Sequence, residues 1–455
     1  MAHEAASATA DRTARLFGVP LVVVFLFIGM MLPTGMSVDA GGLRLSPYRI
    51  VLIVMFVPMV LTLIGGKRGR ANVFDLLVAG HSVLVLLALI KWGGPAQGIE
   101  SGGIYIVEFA GAYLVGRLYI RSYQDFAAFA RVFVALVTGM LIFTLPEALT
   151  GAHVLHDGFA AISGSPPAPY IDQRLGLERA FGPFDHPILY GVFSASALSM
   201  AYFVVAGRRI GNLFGMAQVL GVAVATFVSA SGGPYVVLMM QVLVIGWERV
   251  FAGFKGRWSV LFTLFGISYL AIDLLSNRTP FHVFVSYLTF SAQSAYNRIN
   301  IWNYGTAEVA RQPFLGIGLG DWIRAPWMSD SMDNFWLLIA VRYGVPALLL
   351  LLGLMLGLLH AVARRKDLPE AWVNARHAWA FTLFGITIAA ATVHLWNALF
   401  VLFIFFIGSG IWMYEADPAA RRRPAVAGPL NRPSRRQSCW PSHGPSGGPV
   451  PQTLF

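Results

Sequence analysis

The stretch Asn297–Gly344, "NRINIWNYGTAEVARQPFLGIGLGDWIRAPWMSDSMDNFWLLIAVRYG", interrupts a chain that is otherwise apolar enough to lie in lipid. It carries scattered arginines and aspartates and three alternating glycines, Gly316, Gly318 and Gly320. At Asp333-Asn334 it runs back into an apolar segment. Polar residues beside a lipid-embedded bundle are costly, so their concentration marks a candidate functional segment. The flanks decide the fold class. Of 455 residues, 56% are hydrophobic and 12% charged, with a mean hydropathy of +0.65. Soluble domains carry roughly 25% charged residues. The predicted fold is therefore an all-α, polytopic membrane bundle.

Working outward, apolar runs fall at Leu16–Leu32, Arg49–Ile64, Val73–Ile90, Ile104–Ile120, Phe129–Leu149 and Ile188–Val205. Others follow at Phe214–Val228, Tyr235–Trp247, Val260–Leu275, Asn334–Leu359, Ala378–Trp396 and Ala398–Tyr414. At roughly 20 residues per crossing these amount to about twelve spans. The first is long for a signal-peptide core, although Val38-Asp39-Ala40 would be a tolerable cleavage site. The last two are joined by almost nothing, which predicts a tight helical hairpin.

The net charge of +11 and pI near 9.9 would suggest nucleic acid in a soluble protein. Here the charges follow topology. With a cytoplasmic N-terminus, 22 of the 33 Lys and Arg fall on the inner side and 9 on the outer, a positive-inside bias that leaves no nucleic-acid partner to invoke. Residues 1–15 then form a cytoplasmic N-terminus and residues 16–416 the membrane domain. Residues 417–455, rich in Pro, Arg, Ser and Gly, predict a disordered cytoplasmic tail. The single Cys439 excludes a disulfide framework. Two outer loops are long, residues 150–187 and 276–333, the second before span ten. Long loops in compact proteins are usually functional or disordered. Within the second, Ile299, Trp302 and Val309 suggest one apolar face of an amphipathic helix that Pro313 ends.

Arg179 opens "RAFGPFDHPILYG" at the mouth of a span. A guanidinium there can grip a phosphate through its planar fork, or simply snorkel to headgroups. His186 precedes Pro187, so it can cap the incoming helix or face a cavity. Arg298 has few carboxylates near it in sequence and is a second anion-binding candidate. Arg311 and Arg324 stand on loop edges. Ser231 lies in the turn "SASGGP", where backbone amides could hold an anion. The Gly316–Gly320 triplet lacks the spacing of a nucleotide loop and suits a tight turn or close helix approach. Asp321, Asp330 and Asp333 could ligate a divalent ion through oxygen, though loop carboxylates are common. Asp333 could accept a proton from an attacking hydroxyl or cap the following helix, with Asn334 beside it. Glu108, Glu147, His81, Arg342 and His394 lie within spans and need partners there; a Glu147–arginine pair is expected.

Four pieces in this order resemble the O-antigen ligase and polysaccharide polymerase family: "RAFGPFDHPILYG", "SASGGP", "NRINIWNYGTAEVARQPFLGIGLG" and "DNFWLLIAVRYG". The resemblance spans roughly Phe129 to Leu359. It implies about a dozen helices in a bacterial inner membrane, with a large periplasmic loop between late spans and both termini cytoplasmic. It implies a glycosyltransferase that moves a glycan from an undecaprenyl-diphosphate carrier to an acceptor glycan hydroxyl, with neither metal nor nucleotide cofactor. A flippase and a chain-length protein would be compatible partners. The matching arginines are Arg179 and Arg298, for the diphosphate; Asp333 is the candidate base, and His186, Ser231, Arg311 and Asn334 are candidate substrate contacts. Two positions depart from the family pattern: Asp333-Asn334 stands where His-Asn is frequent, and Gly232 where an arginine often follows the serine. A ligase acting on finished chains and a membrane transporter are the alternatives.

Overall fold

Several helices in this chain begin at a capping side chain, Asn72, Ser122, His186, Asn212 or Asn334, and others end at glycine, as at Gly65, Gly151 and Gly344. The computed structural model describes residues 14–40, 43–164, 168–288 and 292–416. The predicted tail and most of the predicted N-terminal segment lie outside them. About 70% of the structure is helical. The sheet among the described residues is confined to two small antiparallel pairs, Arg15–Leu16 with Val19–Pro20 and Val38–Ala40 with Leu43–Leu45. The first half contains α1 (Leu21–Met30), α2 (Pro47–Ile64), α3 (Val73–Tyr119), α4 (Tyr123–Gly139), α5 (Leu141–Thr150) and α6 (Val154–Ser163). Next come α7 (Pro187–Ala195), which continues through a π-helical turn at Ala201–Val205, α8 (Leu213–Phe227), α9 (Gly232–Val250) and α10 (Arg257–Leu275). The last third holds α11 (Pro280–Leu288), α12 (Ala292–Arg311), α13 (Phe335–Tyr343), α14 (Val345–Ala363), α15 (Glu370–Ala389), α16 (Ala398–Gly408) and α17 (Ile411–Glu415). Among the described residues, seven helical stretches are long and apolar enough to cross a membrane. They are α2, α3, α4–α5, α7 to Val205, α10, α14 and α16–α17.

The longest of these doubles back. Straight, the 47 residues of α3 would reach about 70 Å, against a hydrocarbon core of about 30 Å. Gly94 takes φ 74°, ψ 171°, a conformation that costs glycine little, and Pro95 follows it. A Cβ on Gly98 would lie 2.5 Å from Ile90 Cα, and one on Gly102 2.7 Å from Leu86 Cδ1. Tyr113 donates to Asp75 at 2.8 Å, and the Tyr105 hydroxyl lies 2.8 Å from His81 Nε2. Pairings that step oppositely along the two arms make them antiparallel. The arms therefore match the separate runs predicted at Val73–Ile90 and Ile104–Ile120.

All eleven residues of α16 are buried, and it is the centre of the bundle. Its closest neighbour is the second arm of α3. A Cβ on Gly408 would meet Tyr113 O at 2.2 Å, and one on Gly116 would meet Phe405 O at 2.4 Å, so paired glycines let the two backbones touch. Phe27, Phe129 and Phe405 pack edge to face around this contact, with centroids 5.1–5.2 Å apart. By contrast α10 buries none of its residues against the bundle.

The structure departs from the sequence-based expectation at two places among these helices. The predicted hairpin at Trp396–Ala398 is absent, because α15 ends at Ala389 and residues 390–397 are non-helical. Their carbonyls serve other elements: Ala390 and Val393 accept from Phe335 N–H at 2.8 and 3.2 Å, and Thr392 accepts from Arg298. The predicted span Asn334–Leu359 is broken at Gly344, φ 89°, where a Cβ would fall 2.1 Å from Phe314 O. The helix expected before Pro313 is α12; its buried stripe is Ile301, Gly305 and Glu308, while Trp302 is exposed. Gly305 sits on that stripe because any Cβ would strike Leu337, 2.5 Å away.

The polar contacts sort into two ends. At one, Arg117 joins Asp75, Glu415 and the Arg70 carbonyl, while Arg365 holds the carbonyls of Met413, Tyr414 and Ala416. At the other, the α3 turn meets the glycine loop, with Trp92 Cβ 3.0 Å from a Cβ placed on Gly318. The loop in turn caps α13: Ile317 and Gly318 N–H groups donate to the carbonyls of Val341 and Arg342, both at 2.9 Å. The glycines therefore serve the close helix approach expected of them.

Candidate functional site

At this second end, Arg179 is held by its backbone neighbours. Glu147, 1% exposed, accepts from Phe181 N–H at 2.9 Å and Gly182 N–H at 3.1 Å, and lies 2.7 Å from His153 Nδ1. Ala180 N–H donates to Val228 O at 3.0 Å. The expected Glu147–arginine pair is thus replaced by two amides and an imidazole, which fix the peptide following Arg179 rather than its charge. Arg179 Nη2 donates to Ser231 Oγ at 2.8 Å, and that hydroxyl donates to Ser229 O at 2.8 Å. Arg179 is 6% exposed and its Nε is buried without a partner. Burial, then the Arg174 charge, pushes its guanidinium down to about 10.

Arg298 lies three residues before Ile301, which continues the buried stripe of α12 to it. Its Nε donates to Thr392 O at 2.9 Å. Burial lowers its pKa, the Asp333 carboxylate opposes that, and Arg174 adds to it. The cap of α13 is Asn334, whose side chain accepts from Leu337 N–H at 3.0 Å. Capping therefore does not engage Asp333. Its carboxylate accepts from Ser331 Oγ at 3.1 Å and lies within electrostatic reach of Arg298.

His186 caps α7, its Nδ1 accepting from Ile188 N–H at 3.1 Å. Accepting at Nδ1 requires the neutral ring with its proton on Nε2. Burial, then Arg179 and Arg174, drives its pKa down to about 4. The ring lies 5.9 Å from Trp396. The segment 390–397 thus touches His186, Arg298 and, through Val393, the Ser231 turn, where a Cβ on Gly233 would be 2.4 Å from Val393. It joins site residues from distant parts of the chain, although its apolar composition predicts helix.

In the sequence Arg174 is no more than one of the outer positive charges. In the structure it starts a tight turn closed by mutual 3.0 Å bonds with Leu177, with φ 58° at Leu175 and 74° at Gly176. Its charge acts on Arg179, His186 and Arg298 alike. The dipeptide Leu175-Gly176 is the signal available for it, since a left-handed turn favours glycine at its second central position. Two other arginines are occupied locally. Arg311 pairs with Glu308 at 2.6 Å and stands about 20 Å along α12 from Arg298. Arg324 pairs with Asp321.

The buried arginines differ in the partners they bond. Arg117, Arg49 and Arg257 each bond a carboxylate, at 2.6 to 2.7 Å for their shortest contacts. Among the described residues Arg179 and Arg298 form no ion pair and bond only neutral oxygens. Removing an ion from water costs several kcal/mol even after relaxation, by the usual order of magnitude. Asp333 lies within electrostatic reach of Arg298 and Asp172 of Arg179, yet no carboxylate bonds either guanidinium among the described residues, and a site of that kind is suited to an anion brought from outside.

Fold and site together define an α-helical membrane protein with a cationic cluster at one end. No known family profile matches the chain, and no curated protein is significantly similar to it.

Proposed function

We propose that the protein is a glycosyltransferase of the bacterial inner membrane that polymerises lipid-linked glycan repeats. It crosses the membrane about twelve times, with the basic end in the cytoplasm and the Arg179 end in the periplasm. Arg179 and Arg298 hold the diphosphate of an undecaprenyl-linked donor, and Asp333 faces the acceptor hydroxyl. That oxygen attacks the anomeric carbon as its proton passes to the Asp333 carboxylate. The bond from the anomeric carbon to the diphosphate oxygen breaks, and the lipid diphosphate leaves with the electron pair. Guanidinium groups placed where that charge builds supply the electrostatic part of the acceleration.

The observation that carries this reading is that Arg179 and Arg298 form no ion pair among the described residues, whereas Arg117, Arg49 and Arg257 each bond at least one carboxylate. The neutral, capping His186 and an Asp333 carboxylate kept out of the helix cap support it. Carrier-linked glycans extracted from a strain lacking the gene test it. Single repeats on the carrier are expected. Long carrier-linked chains would instead indicate a ligase, and an unchanged glycan profile would reject both.

A further inference from the structure

Beside Asp333 lies a cavity that the donor does not need. Its volume is about 330 Å³, and it opens between the glycine loop, α13 and the 390–397 segment. Ligand pockets run from about 300 to 1,000 Å³, so it has room for a small ring and little more. Ser331 and Met332 of its wall lead directly into Asp333, and Ser331 Oγ bonds the Asp333 carboxylate at 3.1 Å. The lining mixes an indole, Trp322, with two carboxylates, Asp321 and Asp330, and the cationic or donating groups Arg342 and His394. Trp322 is fixed at both ends: its N–H donates from Nε1 to Asp330 O at 3.1 Å, and its backbone N–H to Asp321 at 3.0 Å.

We infer that this cavity is the subsite for a neutral, hydroxyl-rich acceptor sugar whose attacking hydroxyl is directed toward Asp333. Carboxylates accept from the hydroxyls of a pyranose, and arginine and histidine donate to its oxygens. The indole supplies an apolar wall for the C–H face of the ring. The Asp330 carboxylate would face the charge of a phosphorylated ligand, whereas Asp321 is already paired with Arg324. The donor thus binds at the Arg179–Arg298 side and the acceptor at the Trp322 side, with Asp333 between. This inference rests on the proposed transfer reaction.

The test uses the full chain in lipid nanodiscs and two probe sets followed by NMR. One is a panel of methyl hexopyranosides and 6-deoxyhexopyranosides observed by saturation transfer, the other inorganic pyrophosphate observed by phosphorus line broadening. At least one glycoside is expected to receive saturation, and its signal is expected to fall at least fivefold in D330A and in L319W, which fills the cavity from an exposed wall position. Pyrophosphate broadening should be unchanged in both variants and lost in R179M. Absence of any glycoside signal, or a signal that survives both variants, would overturn the subsite even if pyrophosphate still binds. Glycoside binding without pyrophosphate binding would support the cavity as a sugar site while rejecting the donor reading.

Discussion

Replacing Arg179 by methionine separates a binding arginine from a structural one. In the folded chain Arg179 is 6% exposed, and its guanidinium bonds Ser231 Oγ and forms no ion pair among the described residues. Arg179→Met removes a buried charge that no bonded carboxylate compensates, only the more distant Asp172. Ser231 keeps its bond to Ser229 O, so the variant gives up a single hydrogen bond within the protein, worth about 1 kcal/mol. Against that stands the desolvation cost that disappears with the charge. The melting temperature of the full chain in detergent should therefore stay level or rise. Arg117→Met is the control. It strands Asp75 and Glu415, and breaking a buried pair in this way costs about 3–5 kcal/mol. Glycan transfer should respond in the opposite order. Loss of one charge-stabilising donor typically lowers turnover by about 10²–10³. Conversion of carrier-linked repeats by isolated membranes, normalised to inserted protein, should fall by that factor in Arg179→Met. If Arg179→Met melted as early as Arg117→Met and retained transfer, the reasoning would be refuted.

Asp333→Asn should lower transfer by about 10²–10⁴ with little change in melting, whereas Asn334→Ala should cost about 1 kcal/mol of stability by uncapping α13. Thermal melts and turnover of the two variants side by side distinguish base from cap. Glu147→Gln leaves at least one of its three donors poorly matched, and a stability loss of about 1–3 kcal/mol with a misplaced Arg179 should raise the donor KM more than it lowers kcat. Gly344→Ala forces a Cβ to 2.1 Å from Phe314 O at φ 89°, and an early melting transition should report it. His186 has a folded pKa near 4, below its usual value near 6.5, so the unfolded chain binds the extra proton. Its contribution to stability is present above about pH 6.5 and is lost as pH falls toward 4. His186→Asn keeps a capping side chain and should flatten that part of the stability–pH profile.

Apolar run length makes the helical fold legible, and Gly94-Pro95 marks the turn between the arms of α3. Arg179 and His186 stand out because they border a span, Arg298 because few carboxylates lie near it in sequence, and capping by His186 follows from the proline after it. The cap of α13 is not legible, since Asp333 and Asn334 are equally good caps and only geometry chooses between them. Nor is the unwound 390–397 segment. Its composition is apolar, and it departs from helix because Phe335 and Arg298, far away in sequence, take its carbonyls. Charge alone pairs Glu147 with an arginine, whereas the buried amides of the Phe181-Gly182 peptide are its partners. Arg174 is hidden in the sequence because a turn's position depends on what folds around it.

The central claim is that the Arg179–Arg298 end receives a lipid diphosphate. Native mass spectrometry of the full chain with undecaprenyl diphosphate and undecaprenyl monophosphate measures this directly. The account predicts retention of the diphosphate over the monophosphate, abolished in the Arg179→Met, Arg298→Met double variant. Equal retention of both lipids, or of the diphosphate by the double variant, would contradict it.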